Sequence, residues 1–350
     1  MTDVRSQLAL SVILLTINCA TLFAQGAPDL NSVLEWQRTI ELEETDEVFV
    51  VNPEIRVASD RLVVADESQI RLYDQEGTLL MRFGEEGDQA PGTLQIPRPA
   101  VQLSSEKYVV PSALTGNVDV FNAEGTFVER YTRVVASAGT NEAALLPNDE
   151  VLLVGAAEVE GGGASPLLHR FDPETGETRA SFFPHPTPLG EYEGFLYSLG
   201  DIASVDIRSE RIAATFAVRP DIYLFDLQGD PVGQIEVSLS EFRGEKPAPF
   251  ASRPEWREAM QEHSFVSDVF WFSDDVLLVQ YYDFEEFSRE GSVRNWRLAA
   301  VNLDGEVLFE WVNTPRLFGI HPGTQELYFQ DPAAELPNRL KVGQFSEGVL

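Results

Sequence analysis

Three arginines, Arg98, Arg219 and Arg316, each stand beside a proline at the start of an apolar stretch. A guanidinium held there presents a planar fork of donors that suits a carboxylate or a phosphate. Tyr192, Tyr197, Tyr281 and Tyr282 add rings that can stack and hydroxyls that can hydrogen-bond. His263 ends the helix-prone run that begins at Pro254. Arg98, Tyr192, Tyr197, Arg219, His263, Tyr282 and Arg316 therefore form a candidate ligand-binding set, suited to a small polar or sugar-like molecule. Glu54, Asp66, Asp201 and Asp268 are acids at or near strand ends, and hard oxygen ligands of this kind suit Ca²⁺. No cofactor is required by this reading, and Ca²⁺ is the ion it would accommodate. The competing role for every one of these side chains is structural, as half of a rim ion pair or as a packed aromatic.

Signals for enzyme chemistry are thin. The four histidines (His169, His185, His263, His321) have no metal-ligand spacing, and neither HxH nor HExxH occurs. His169, on a third strand, reads as structural. No GxSxG marks a hydrolase serine. Glu160-Gly161-Gly162-Gly163-Ala164 lacks the lysine of a phosphate loop. Asp201-Ile202-Ala203-Ser204-Val205-Asp206 and Ser273-Asp274-Asp275 are rich in oxygen ligands but match no dedicated calcium loop.

The elements that must position such residues recur. Five units end in the same way: an apolar strand, Asp or Asn, a short turn closed by Gly, and another strand. The turns run Asp74 to Gly77, Asn122 to Gly125, Asp172 to Gly176, Asp226 to Gly229 and Asn302 to Gly305. The side-chain oxygen can accept turn amides, and glycine takes the positive φ the turn needs. The glycines lie 48, 51, 53 and 76 residues apart, a four-stranded sheet with loops in each interval and an insertion, 238–265, in the last. Strands such as Leu62-Val63-Val64-Ala65 are apolar on both faces, as they must be between neighbouring sheets. The sheets are expected at about 54–83, 100–131, 142–183, 202–237, 266–312 and 317–345. The last is one strand short, and the orphan segment 36–42 supplies it. The fold expected is thus all-β: a six-bladed β-propeller whose N-terminal strand closes the last blade.

In such a ring the links between blades and between second and third strands share one face. The long segments 84–99, 158–166, 184–201, 238–265, 284–295 and 331–338 all belong to that class, so one face carries the elaboration. A short helix over 254–263, carrying Trp256 and Met260, is expected there, either as a lid or packed on the rim.

The stretch from Ile55 to Tyr131 resembles the NHL-repeat group of six-bladed propellers. The likeness is carried by Val63-Val64-Ala65-Asp66, Ile70-Arg71-Leu72-Tyr73-Asp74 and Gly77-Thr78, and recurs as Val118-Asp119-Val120-Phe121-Asn122 with Gly125-Thr126. Unit two departs from it, with Pro111-Ser112 where unit one has Ala65-Asp66. The whole chain resembles exported bacterial six-bladed propellers. That resemblance implies the fold, and a range of roles from scaffold and ligand binder to a few lyases and hydrolases. The reading taken is an extracytoplasmic binding or scaffold propeller working through its long-loop face, without catalysis. The alternative is a Ca²⁺-assisted lyase or lactone hydrolase at the mouth of the central channel.

Location follows from the N-terminus. Arg5, the apolar run Leu8 to Ile17 and the small residues up to Ala24 read as a signal peptide over 1–24, leaving 25–350 as the propeller. Thr16-Ile17-Asn18 before Cys19 argues against lipid attachment. Removal of the signal would leave no cysteine, which suits a bacterial periplasmic or secreted monomer. No later segment is apolar enough to span a bilayer. The net charge of −32, from 57 acids and 25 bases, disfavours nucleic acid and admits a basic protein partner.

Overall fold

The computed structural model describes residues 29–45, 50, 53–87, 90–113, 115–135, 142–155, 166–184, 203–243, 260–287 and 292–350. One helical turn, α1 (Leu30–Val33), is capped by the Asp29 carboxylate and leads into β1 (Leu34–Glu41). Blade one holds β2 (Glu54–Val57), β3 (Leu62–Asp66), β4 (Gln69–Tyr73) and β5 (Leu79–Phe83), in that order across the sheet. A small parallel pair, β6 (Glu85–Glu86) and β7 (Thr93–Leu94), bridges to blade two. That blade holds β8 (Val101–Gln102), β9 (Tyr108–Pro111), β10 (Val118–Phe121) and β11 (Phe127–Tyr131). Blade three holds β12 (Glu142–Leu145), β13 (Val151–Val154), β14 (Pro166–Asp172) and β15 (Glu177–Pro184). Blade four holds β16 (Ala203–Arg208), β17 (Arg211–Phe216), β18 (Arg219–Asp226) and β19 (Pro231–Ile235). Blade five holds β20 (Ser264–Trp271), β21 (Val276–Phe287), β22 (Ser292–Asn302) and β23 (Val307–Val312). Blade six holds β24 (Leu317–Ile320), β25 (Leu327–Gln330) and β26 (Arg339–Phe345), and β1 is its outer strand.

The ring is closed by packing as well as by pairing. Hydrophobic clusters fill every interface between neighbouring blades, including the last one. There Ile40 and Leu42 from the N-terminal segment meet Ile55, Leu62 and Tyr73 of blade one and Tyr328, Leu340 and Val342 of blade six. The second and third strands lie between two neighbours and are buried along their length, as in β3, β9, β10 and β13. Of the segment 284–295, expected as a long connection, 284–287 and 292–295 instead extend the paired strands, and 288–291 lie outside the described residues. Strands β21 and β22 pair from Val276 opposite Asn302 out to Phe287 opposite Ser292.

The recurring turns lock each blade to its predecessor. Asp226 Oδ1 accepts the amides of Gln228 and Asp230, both at 2.9 Å, and Asn122, Asp74 and Asn302 take the same two positions. Gly229 sits at φ +95°, and a β-carbon there would lie 2.5 Å from the ring of Phe182 on β15 of the preceding blade. Gly125 meets Phe83, and Gly176 meets Tyr131, in the same manner. Glycine is thus demanded twice, by the left-handed backbone and by the neighbouring blade. Gly229→Ala should cost about 2–4 kcal/mol from strain and overpacking, seen as a lower denaturation midpoint. An unchanged midpoint would show that the turn does not press on Phe182.

Candidate functional site

The first strand of every blade, β2, β8, β12, β16, β20 and β24, lines one axial cavity of about 820 Å³. These strands have an unpaired edge toward the axis, so their amides need partners other than a ladder. Side chains from the neighbouring blade supply them. Glu142 Oε2 accepts Val205 N–H at 3.0 Å, and Ser204 Oγ accepts Val269 N–H at 3.2 Å. Asp206 accepts Trp271 N–H at 2.7 Å and its own neighbour Ile207 N–H at 2.8 Å. Buried Gln280 accepts Leu317 N–H and donates to Leu317 O at 3.0 Å and to Asp268 at 2.9 Å. Polar residues on the inner strands, and Gln280 on the second strand of blade five, thereby stitch blades three to six together around the axis.

Low dielectric shifts the ionisation of these groups. Burial, reinforced by Asp268 and opposed by Arg56, pushes Glu142 up to about 8. Burial also raises Asp206, to about 6, against the two amides it accepts and against Arg56. Asp268 is raised by burial as well, against Arg316 and its hydrogen bonds from Ser267 and Gln280. Arg56 donates to Ala143 O, and burial lowers its pKa against the pull of Glu142 and Asp206.

One part of the lining is cationic. Arg316 Nη2 donates to Glu54 at 2.7 Å, and Arg98 lies 3.8 Å from the same carboxylate. Burial alone would raise Glu54, but Arg316, Arg98 and Arg294 together hold it below its ordinary value. The Arg316 guanidinium stacks over Phe318 at 4.9 Å and Trp296 at 5.5 Å, and its buried Nε has no partner. Arg294 lies over Tyr282 at 4.8 Å and Trp296 at 5.6 Å. An aromatic ledge thus holds two guanidiniums beside one carboxylate.

Of the residues singled out in the sequence, Arg98, Tyr282, Arg316, Glu54 and Asp268 come together on this cavity. Tyr192, Tyr197 and Asp201 lie outside the described residues, as do residues 1–28 with the apolar leader and Trp256. Arg219 is not on the cavity. Only two residues join β17 to β18, so Arg219 starts a third strand, away from the axis, near Asp221 and Tyr223. Asp66 is also elsewhere. It ends a second strand and forms a buried ion pair with Arg71 at 3.0 Å within blade one. His263 lies just before β20 and does not line the cavity, and burial lowers its pKa. Met260, three residues earlier, is packed in the core with Phe265 and Phe284. His169 is buried between Ser181 Oγ and Gly155 O, both at 2.8 Å.

Arg56, Glu142 and Arg294 were not singled out, and Asp206 was noted only within an oxygen-rich stretch. A signal for the inner strands was present. In blades one and four they alternate polar and apolar residues (Glu54-Ile55-Arg56-Val57, Ser204-Val205-Asp206-Ile207), whereas second strands are mostly apolar, as in Val151-Leu152-Leu153-Val154.

No protein-family model and no curated protein matches the sequence. Solved structures do share its fold. A protein from Bacteroides fragilis described as exported superposes with a TM-score of 0.64 at 11% identity, over 91% of this chain and 97% of its own. A member of the DUF4221 family from Bacteroides vulgatus gives 0.64 at 13% identity, over 89% and 97%. Virginiamycin B lyase from Staphylococcus aureus gives 0.51 at 11% identity, over 89% and 100%. At these identities the likeness is one of fold, and it covers the whole propeller.

Proposed function

We propose that this chain is an extracytoplasmic, non-catalytic binding propeller that takes a small polar ligand at the cationic, aromatic-backed part of its axial cavity. The observation that carries this reading is the gathering of Arg98, Arg294 and Arg316 around Glu54 on the ledge of Tyr282, Trp296 and Phe318. A cavity of about 820 Å³ falls in the range of about 300–1,000 Å³ used for small molecules. The apolar leader at 8–17 and the exported neighbour of the same fold support a place outside the cytoplasm. No helix among the described residues is long and apolar enough to cross a membrane.

The Ca²⁺-assisted lyase or hydrolase reading has less behind it. Glu54 and Asp268 share the cavity, but Glu54 Oε2 is taken by Arg316 and Asp268 Oδ2 by Gln280. Among the described residues no three His, Cys, Asp or Glu side chains are grouped to share an ion. A thermal-shift screen of residues 25–350 with Ca²⁺, Zn²⁺, sugars and peptides tests both. Binding at the cavity predicts that an organic ligand raises the midpoint and that Arg316→Ala abolishes the shift. A shift by Ca²⁺ alone, lost in Asp268→Asn, would replace this reading with the metal-dependent one.

A further inference from the structure

Resting on that reading, we infer that the ligand is a hydroxylated carboxylic acid of mono- to disaccharide size, its carboxylate seated on Arg294 with Arg98 and Arg316 behind. The charge at the site is out of keeping with the molecule around it. The chain carries a net −32, yet three guanidiniums gather here around Glu54, with Asp268 as the one further acid acting on Arg316. Arg316 and Arg98 are turned toward Glu54. Arg294 is different. It is exposed on the cavity lining, held over Tyr282 and Trp296, and among the described residues no carboxylate pairs with it. The nearby acid Asp268 is occupied by Gln280 and Ser267. A guanidinium already braced on aromatic faces loses little freedom when it binds, and its fork matches an oxyanion.

The rest of the lining decides the body of the ligand. Beyond the arginines the cavity walls carry Glu142, Asp206 and Asp268 from three successive blades. The hydrogen bonds from Ser267 and Gln280 fall on Asp268 Oδ2 and that from Val205 on Glu142 Oε2, so each carboxyl keeps its second oxygen for a ligand hydroxyl, and burial leaves both holding protons more tightly than usual. A second anionic group at that depth would meet repulsion. An aliphatic body would strand the polar walls. A polyhydroxylated body with one terminal oxyanion satisfies both parts of the lining.

The test is calorimetric titration of residues 25–350 with D-glucuronate, D-glucose and inorganic phosphate, for the wild type, Arg294→Gln and Arg294→Lys. Glucuronate is expected to bind at least about ten-fold more tightly than glucose. Arg294→Gln should remove about that factor for glucuronate and leave glucose unchanged, and Arg294→Lys should lose only part of it. Arg294 is exposed, so all three proteins should stay folded at the titration temperature, with at most a small drop in melting point from the lost ring contacts. Equal affinity for glucose and glucuronate, or an Arg294→Gln variant that binds glucuronate normally, overturns the inference and leaves a ligand site in the cavity standing. Binding of phosphate but not glucuronate assigns the arginines to a phosphate ester and overturns the carboxylate. Binding of none of the three also overturns it. Failure of the wider reading has a separate signature, a screened ligand whose thermal shift survives Arg316→Ala.

Discussion

A chain that begins at Glu43 is expected to lose cooperative unfolding, and attaching residues 29–42 after Leu350 through a short flexible linker is expected to restore it. The segment supplies the outer strand of blade six. Its register runs from Leu34 opposite Phe345 to Glu41 opposite Arg339, with a bulge between Trp36 and Arg38. Arg38 forks onto Glu326 at 2.6 and 3.2 Å and reaches the Tyr328 hydroxyl at 3.0 Å. Leu34, Ile40 and Leu42 are 5%, 2% and 1% exposed. Burial of three such side chains contributes about 5–8 kcal/mol, which rivals the whole net stability of a typical domain, about 5–15 kcal/mol. Truncation also strips the hydrogen-bond partner from β26 and uncovers the blade six–blade one cluster, which leaves a sticky edge. The relocated strand is geometrically reasonable because the chain ends where β1 starts: Ser346 N–H already donates to Val33 O at 2.9 Å. The milder Ile40→Ala should cost about 2–5 kcal/mol. Chemical denaturation followed by tryptophan fluorescence reads all three. A truncated chain that unfolds with the wild-type midpoint would mean that closure contributes nothing.

That strand was legible because a propeller has no tolerance for an open seam. An apolar segment without a partner and a last sheet with a vacant edge identify each other. The Asp/Asn-to-Gly turns were legible for a related reason. Each satisfies its own amides locally and presses on the blade before it, so residue type is constrained at both the turn and the interface. The site was only half readable. Arg98, Arg316 and Glu54 stand out against their surroundings as charged residues at strand entrances, and Asp268 and Tyr282 as an acid and an aromatic within strands. Arg219 and Asp66 share those features but lie on third and second strands, and distance from the axis is not written in a residue's neighbours. Arg56 and Glu142 depend on contacts across blades, Arg56 with Ala143 and Glu142 with Val205, while Arg294 depends on Tyr282 on the facing strand of its own blade and, through its charge, on Glu54 of blade one. Each pair is remote in the chain or joined only by a strand register. The alternation of polar and apolar residues on inner strands marks the channel wall, whereas the pairing along that wall requires the ring.

Glu142→Gln is expected to leave the protein as stable as the wild type near pH 5 and more stable near pH 8, by about 2–4 kcal/mol. Burial raises the folded-state pKa of Glu142 to about 8, well above the ordinary carboxylate range that the unfolded chain retains. Between those two values the unfolded state has released a proton that the folded state still holds. Stability therefore falls as pH rises through that window, by at most about 1.4 kcal/mol per pH unit for this proton, and levels off above it. Glutamine resembles the protonated acid in shape. Its carbonyl can keep accepting Val205 N–H, and its amide stands in for the acid proton. It cannot ionise, so this contribution to the slope disappears, while Asp206 and Asp268 still titrate in both proteins. The measurement is a pair of urea-denaturation series from pH 5 to pH 9. Divergence of the two curves on the alkaline side, with the variant above, ties the buried acid between blades three and four to the pH response. Parallel curves would mean that Glu142 is ionised in the folded protein at neutral pH, with Arg56 balancing its charge across the channel.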